Sequence, residues 1–74
     1  MENKVLEIVN SIREAKGLPV LDSLKEDLSL RSDLGLTSFD LAELTVKIED
    51  EFDIDIFEDG LVNTVGEIFA KLEK

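Results

Sequence analysis

Apolar side chains near the amino terminus repeat at the spacing of one helix face. The repeat follows i, i+3, i+4 and i+7, the stripe that an amphipathic helix buries, and consists of Val5, Ile8, Val9 and Ile12. The charged residues around this stripe, Arg13 and Lys16 among them, are expected to face solvent. Gly17 and Pro19 then end the pattern. The segment therefore predicts a first amphipathic helix.

A long connection without helical periodicity runs from Leu18 to about Thr37. Loops of about 20 residues are uncommon in compact domains unless they are packed or functional. This loop is rich in one apolar residue type, represented by Leu21, Leu24, Leu28, Leu30, Leu34 and Leu36. We expect these leucines to pack the loop onto the core.

A second helix is predicted from Ser38 to about Glu51. Its buried side consists of Leu41, Leu44 and Ile48, flanked by Ala42, Val46 and Phe52. Residues 52–56 then alternate between apolar and acidic side chains, a period of two that predicts a short extended segment.

A last helix is predicted after the capping box formed by Thr64 and Glu67. Its apolar stripe consists of Val65, Ile68, Phe69 and Leu72. Residues 57–62 predict only a marginal helical turn, which Gly60 weakens. Three amphipathic helices and this turn indicate an all-α small bundle, and we expect one domain over residues 1–74.

The net charge narrows the choice of partners. Eighteen Asp and Glu side chains against eight Lys and Arg give −10, and residues 33–74 carry −9 of it. Such a chain is repelled by nucleic acid and by anionic membranes. Its partners are expected to be basic.

Composition also excludes several chemistries. The chain has no Cys and no His, so it offers no disulfide, thiolate nucleophile, imidazole base or zinc site of the common kinds. Its longest apolar run, residues 68–70, is far shorter than the roughly 20 residues of a membrane span. Glu2 and Glu7 interrupt any secretory signal. We expect a soluble, cytoplasmic protein without a membrane span.

Ser38 is the candidate functional side chain, because it lies where the second helix begins. Free backbone N–H groups and the positive end of a helix dipole would stabilise a phosphate attached there. The alternative is structural: Ser and Thr are favoured helix caps, and either Thr37 or Ser38 is expected to cap this helix. Capping is the commoner reason for such a residue at such a place.

Charged residues, all but one of them acidic, form a stripe along the second helix from Ser38 onward. The stripe follows i, i+3, i+7 and i+10 and consists of Asp40, Glu43, Lys47 and Asp50, with Glu49 and Glu51 close by. A solvated face is the usual explanation for such a stripe. The surplus of like charge favours a second one, a surface that steers and orients a basic partner.

The acidic stretch after this helix fails as a calcium loop. When the twelve-residue EF-hand loop starts at Asp55, Asp59 and Gly60 take positions five and six. Phe57 then takes position three and Gly66 position twelve, so the bidentate carboxylate is missing. We predict no metal site.

The segment Asp33-Leu-Gly-x-x-Ser38-x-Asp40-Leu41 resembles the phosphopantetheine attachment motif of the acyl carrier protein family. The resemblance extends over most of the chain. It implies a four-helix bundle with a short third helix, and a 4'-phosphopantetheine arm attached to Ser38. The arm comes from coenzyme A and ends in the thiol that the sequence lacks.

The resemblance also implies partners and a role. A phosphopantetheinyl transferase would modify the chain, and acyl-transferring and synthase enzymes would bind it through basic patches. The residues expected to contact those patches are Asp33, Asp40, Glu43, Glu49 and Asp50. The chain would be a free-standing, monomeric carrier, not an enzyme, in fatty-acid, lipid or polyketide-type synthesis.

Several positions depart from the pattern of typical fatty-acid carriers. Thr37 and Phe39 stand where Asp and Leu are usual, and Phe57 stands where Pro is common. These departures favour a specialised carrier. Two alternatives stay open: a peptidyl or aminoacyl carrier, and an acidic helical interaction domain that bears no prosthetic group.

Overall fold

The computed structural model describes residues 2–58 and 60–73, and the regular secondary structure in this part of the chain is all α-helical. Its helices are α1 (Glu2–Ala15), α2 (Ser38–Phe52) and α3 (Val65–Leu72). The predictions for all three helices are confirmed. Extended pairing within the described residues is limited to an isolated bridge between Ser29 and Thr64.

The short third helix predicted between α2 and α3 is not confirmed. Residues 56–58 form a turn, in which the Phe57 N–H donates to Asp55 Oδ1 at 2.9 Å. An aspartate that binds backbone two residues ahead favours a turn over a helix. Asp59, which belongs to this segment and to the rejected calcium loop, lies outside the described residues. The described residues therefore contain three helices and not four.

The helices and the long loop share one hydrophobic core. Its buried residues are Val5, Val9 and Ile12 of α1, Leu41, Leu44 and Ile48 of α2, Val65, Ile68, Phe69 and Leu72 of α3, and Leu30, Leu34, Leu36, Ile56 and Val62 of the connections.

Lys4 pairs with Glu51 at one end of α2, and Lys16 pairs with Asp40 at the other end. α1 and α2 are thus antiparallel.

Hydrogen bonds hold the long loop to α1 and to the segment just before α3. The Asn10 side chain both donates to and accepts from the Leu21 backbone, at 3.0 and 2.8 Å. Further along, the Leu30 N–H donates to the Asn63 carbonyl at 2.9 Å. Leu30 and the next two leucines of the loop, Leu34 and Leu36, are buried, as the leucine pattern predicts.

Arg13 corrects the prediction of a solvent-facing side chain, since this residue is only 7% exposed. Its Nε donates to the Pro19 carbonyl at 3.1 Å, and its Nη1 donates to the Leu34 carbonyl at 2.6 Å. A guanidinium has several donors in one plane and satisfies two loop carbonyls at once. Arg13 thereby fixes the path of the loop just before Ser38.

None of the helices in the described ranges is both long enough and apolar enough to cross a membrane. In the same ranges, no group of three or more His, Cys, Asp or Glu side chains is arranged so that it could hold a metal ion.

Candidate functional site

Thr37 is the residue that caps α2. Its backbone is extended, and its Oγ1 accepts from the Asp40 N–H at 3.2 Å. Asp40 Oδ2 in turn accepts from the Thr37 N–H at 2.9 Å. This reciprocal pair is a capping box, which satisfies two of the free amides at a helix start. The choice between Thr37 and Ser38 as the cap is thus decided in favour of Thr37.

Ser38 is the first residue of α2, and its side chain is exposed to solvent. Because Thr37 provides the cap, the Ser38 hydroxyl has no part in holding the helix end. Its Oγ accepts a hydrogen bond from Arg31 Nη2 at 2.8 Å. The arrangement is an accessible hydroxyl at the positive end of a helix, next to a guanidinium, and it suits an attached anion.

Arg31 is a site residue that no pattern in the sequence indicates. It lies seven positions before Ser38 in a loop without periodicity, so no spacing rule brings the two side chains together. The contact depends on the three-dimensional path of the loop, which Arg13 and the buried leucines determine.

Asp40 corrects the prediction of an exposed acidic stripe. Its side chain is 10% exposed and pairs with Lys16 Nζ, which also donates to the Gly35 carbonyl at 2.7 Å. The hydrogen bond from Lys16, followed by that from the Thr37 N–H, lowers the pKa of the Asp40 carboxyl, although burial opposes the change. Asp40 is therefore a carboxylate at neutral pH that joins α1 to the start of α2.

The remaining acidic residues predicted to bind partners present carboxylates to solvent. Glu43 pairs with Lys47 at 3.9 Å, and both side chains are 43% exposed. Glu49 and Asp50 are exposed and line one groove near the end of α2. Asp33 is exposed too, in the turn before Ser38, and one of its oxygens accepts from the Ser29 N–H at 2.6 Å. An exposed ion pair such as that between Glu43 and Lys47 contributes little to stability, so it leaves the carboxylate available to a partner.

An apolar groove of about 260 Å³ opens beside Ser38. Its lining consists of Arg31, Ser38, Leu41, Ala42, Phe57 and Leu61. Leu61 is 78% exposed, so the groove is shallow and open on one side. Apart from Arg31 and Ser38 themselves, the side chains that line it are hydrocarbon.

A second apolar surface lies on the exposed face of α2. Phe39 is 79% exposed and Val46 is 65% exposed, and they line one groove together with Ala42 and Glu43. Val46 was expected to flank the buried side and instead faces solvent. Exposed apolar side chains next to acidic ones are typical of a surface that binds a partner.

A family model described as the phosphopantetheine attachment site matches residues 6–72. The chain belongs to this family. No solved structure matches the chain. Members of the family are carrier proteins and not catalysts, and the group that they carry is covalently attached 4'-phosphopantetheine. A carrier of this kind requires a phosphopantetheinyl transferase and partner enzymes that act on its cargo.

The residues around Ser38 fit the charge of this group. A phosphodiester carries one negative charge and accepts hydrogen bonds, and the carrier offers the Arg31 guanidinium and the amino-terminal end of α2 at the same hydroxyl. The hydroxyl is also open to solvent.

Proposed function

We propose that this chain is an acyl carrier protein with 4'-phosphopantetheine attached to Ser38. The supporting observation is the division of labour between two neighbouring hydroxyls: Thr37 caps α2, and Ser38 stays exposed and free to react. We extend the proposal to a single, monomeric, cytoplasmic carrier domain over residues 1–74. It would serve a specialised fatty-acid, lipid or polyketide-type synthesis.

In the proposed modification the Ser38 oxygen attacks the phosphorus of coenzyme A that bears the pantetheine. A new bond forms between Ser38 Oγ and that phosphorus, and the pyrophosphate P–O bond breaks. Adenosine bisphosphate leaves, and the hydroxyl proton passes to a base of the transferase. The attached arm supplies a thiol, on which acyl groups are held as thioesters.

The residues around Ser38 would orient it for this reaction. Thr37 and Asp40 hold the first turn of α2 through the capping box, and Lys16 ties Asp40 to the end of α1. Gly35 is tied to the same ammonium through its carbonyl. The Ser38 hydroxyl therefore belongs to a helix end that is held by hydrogen bonds and an ion pair, and not to a mobile loop. Less ordering of the site is then left for the transferase to impose.

The groove beside Ser38 supports an acyl cargo over an aminoacyl one. Leu41, Phe57 and Leu61 give it hydrocarbon walls, and the arm starts at its edge. A fatty chain that folds back along the arm would bury apolar surface there, which is favourable by about 25 cal/mol per Å². An aminoacyl group carries an ammonium, and these hydrocarbon walls offer it no hydrogen-bond acceptor or counter-charge.

The exposed face of α2 supports docking to basic partner enzymes. Glu43, Glu49 and Asp50 carry the charge, and Phe39 and Val46 supply apolar contact area on the same helix. In such an interface charge increases the rate of encounter, and buried apolar side chains hold the complex. Asp40, which is engaged inside the molecule, is left out of this surface.

Loading with coenzyme A and a broad-specificity phosphopantetheinyl transferase tests the attachment site. We expect intact-mass analysis to show the gain of one arm in the wild-type chain and none in Ser38→Ala. Ser32→Ala is the matched control, because it removes an exposed hydroxyl from the same region and should load normally. No gain in the wild type would favour an acidic interaction domain, and a gain that survives Ser38→Ala would place the arm elsewhere.

The cargo is tested on the loaded protein by NMR. A medium-chain acyl thioester should shift the Phe57 ring and Leu61 methyl signals, whereas an aminoacyl thioester should leave them in place. The methyls of Val20, another exposed apolar residue that does not line the groove, serve as the internal reference. Shifts with the aminoacyl thioester alone would favour the aminoacyl carrier.

A further inference from the structure

We propose that Arg31 binds the phosphodiester that joins the arm to Ser38. This inference rests on the proposed attachment at Ser38 and assigns a phosphate-binding side chain outside the attachment motif. Arg31 would be a positioning residue, which holds the first segment of the arm against the surface at the edge of the apolar groove.

The geometry of the unmodified site carries the argument. Arg31 Nη2 lies 2.8 Å from Ser38 Oγ, the atom to which phosphorus would be bonded. The two free oxygens of a phosphodiester would therefore lie two bonds from the atom that Arg31 already contacts. A guanidinium has five N–H donors and binds phosphate through two of them at once. Small side-chain rotations would exchange a neutral acceptor for a charged one.

The other cations near the start of α2 are already engaged. Arg13 donates to the carbonyls of Pro19 and Leu34 from a buried position, and Lys16 is paired with Asp40. Arg31 differs from both, because it is exposed and its described partner is the reactive hydroxyl itself. Attachment of the arm would add one negative charge to a chain of −10, and Arg31 would offset that charge locally.

Side-chain NMR of the apo and loaded protein tests this assignment. We expect the Arg31 Nε–Hε signal to shift on loading and its exchange with water to slow. The ³¹P signal of the arm should move in Arg31→Ala and move less in Arg31→Lys, which keeps the charge but loses the planar donor pair. Lys4→Ala is the matched control: it removes one charge next to Glu51, at the far end of α2, and should leave the ³¹P signal unchanged.

The outcomes separate the two proposals. Mass analysis of each sample shows first whether the arm is attached, and the absence of a gain in Ser38→Ala locates it at Ser38; if Ser38 is not loaded, both proposals fail. If loading is normal but the Arg31 signal does not move, or if the ³¹P shift of Arg31→Ala equals that of the wild type, the attachment site stands and the role of Arg31 is refuted. Circular dichroism of the apo variants checks that helicity is unchanged.

Discussion

Lys16 and Asp40 form an ion pair that connects the end of α1 to the first turn of α2. The same Asp40 oxygen accepts from the Thr37 N–H and from the Thr37 hydroxyl, at 2.9 and 3.0 Å. One carboxylate oxygen therefore organises the helix start that presents Ser38. Asp40 was expected to lie on an exposed acidic face, and the structure instead shows it as an internal support of this helix start.

Replacing Asp40 with Asn is expected to destabilise the carrier at neutral pH by about 1 kcal/mol, because a hydrogen bond to a charged group becomes one to a neutral group. The pKa of Asp40 in the folded protein lies below its ordinary value of 3.8. Its contribution is therefore complete above that ordinary value and is lost as the pH falls through the lower, folded-state pKa. Urea denaturation of the wild type and of Asp40→Asn, from neutral pH to below the ordinary pKa of Asp40, measures the difference in their free energies of unfolding.

Glu43→Gln is the control for this effect. It removes one charge from the same helix, but from an exposed pair at 3.9 Å, so its effect at neutral pH should stay within about 0.5 kcal/mol. If the difference in unfolding free energy between the wild type and Asp40→Asn stays constant well below the ordinary pKa of Asp40, the role assigned to Asp40 is contradicted.

Substitution of Gly35 by alanine is expected to destabilise the protein for two separate reasons. Its φ is +72°, where a side chain costs about 1–2 kcal/mol, and an added Cβ would lie 3.3 Å from Leu18 Cδ1. Gly17→Ala is the matched control, because its φ is +79° but an added Cβ would meet nothing within 4 Å. Chemical denaturation should show a larger loss of stability for Gly35→Ala, and equal losses would show that the contact with Leu18 is unimportant.

The helices were predictable because each has a strong apolar stripe. Ile12 and Leu44, for example, sit at regular spacings and are buried as expected. Thr37 as the cap was also within reach of the sequence. Thr37-x-x-Asp40 fits a capping box before an apolar run, whereas Leu41 occupies the corresponding position for Ser38.

The errors concern charged residues whose partners lie on other elements. Arg13 follows Ile12 at the edge of the buried face, and a charged residue there is normally solvated. It is buried because loop carbonyls need donors. Arg31 and Asp40 likewise take their roles from the path of the long loop, and a loop without periodicity leaves that path undetermined in the sequence.

Asp53 is a strained position whose substitution should stabilise the carrier. It follows α2 with φ +59°, the left-handed conformation, and its negative charge lies at the negative end of the helix dipole. Asp53→Gly removes the strain and the charge, whereas Asp53→Asn removes the charge and keeps a tolerated residue. We expect gains of about 0.5–1 kcal/mol, measured as a rise in Tm of about 2–8 °C. A lower Tm in both variants would contradict this prediction.

The exposed acids of α2 are expected to govern the rate of modification. In Glu43→Lys combined with Asp50→Lys, we expect loading by the transferase to slow by about tenfold at low ionic strength, because steering of a basic partner is lost. The dependence of the rate on salt should also weaken, since salt screens what charge attraction remains. Initial rates at several salt concentrations measure both effects, and circular dichroism verifies that helicity is kept.

Asp27→Lys combined with Glu73→Lys is the matched control for that pair. It changes the net charge equally, but these two exposed acids line a groove with Phe69 that contains no residue of α2. If the reversed charges act through the local surface, this control loads faster than the α2 variant and keeps more of the salt dependence. Equal rates for the two double variants would show that net charge alone steers the transferase and that the α2 face has no special role.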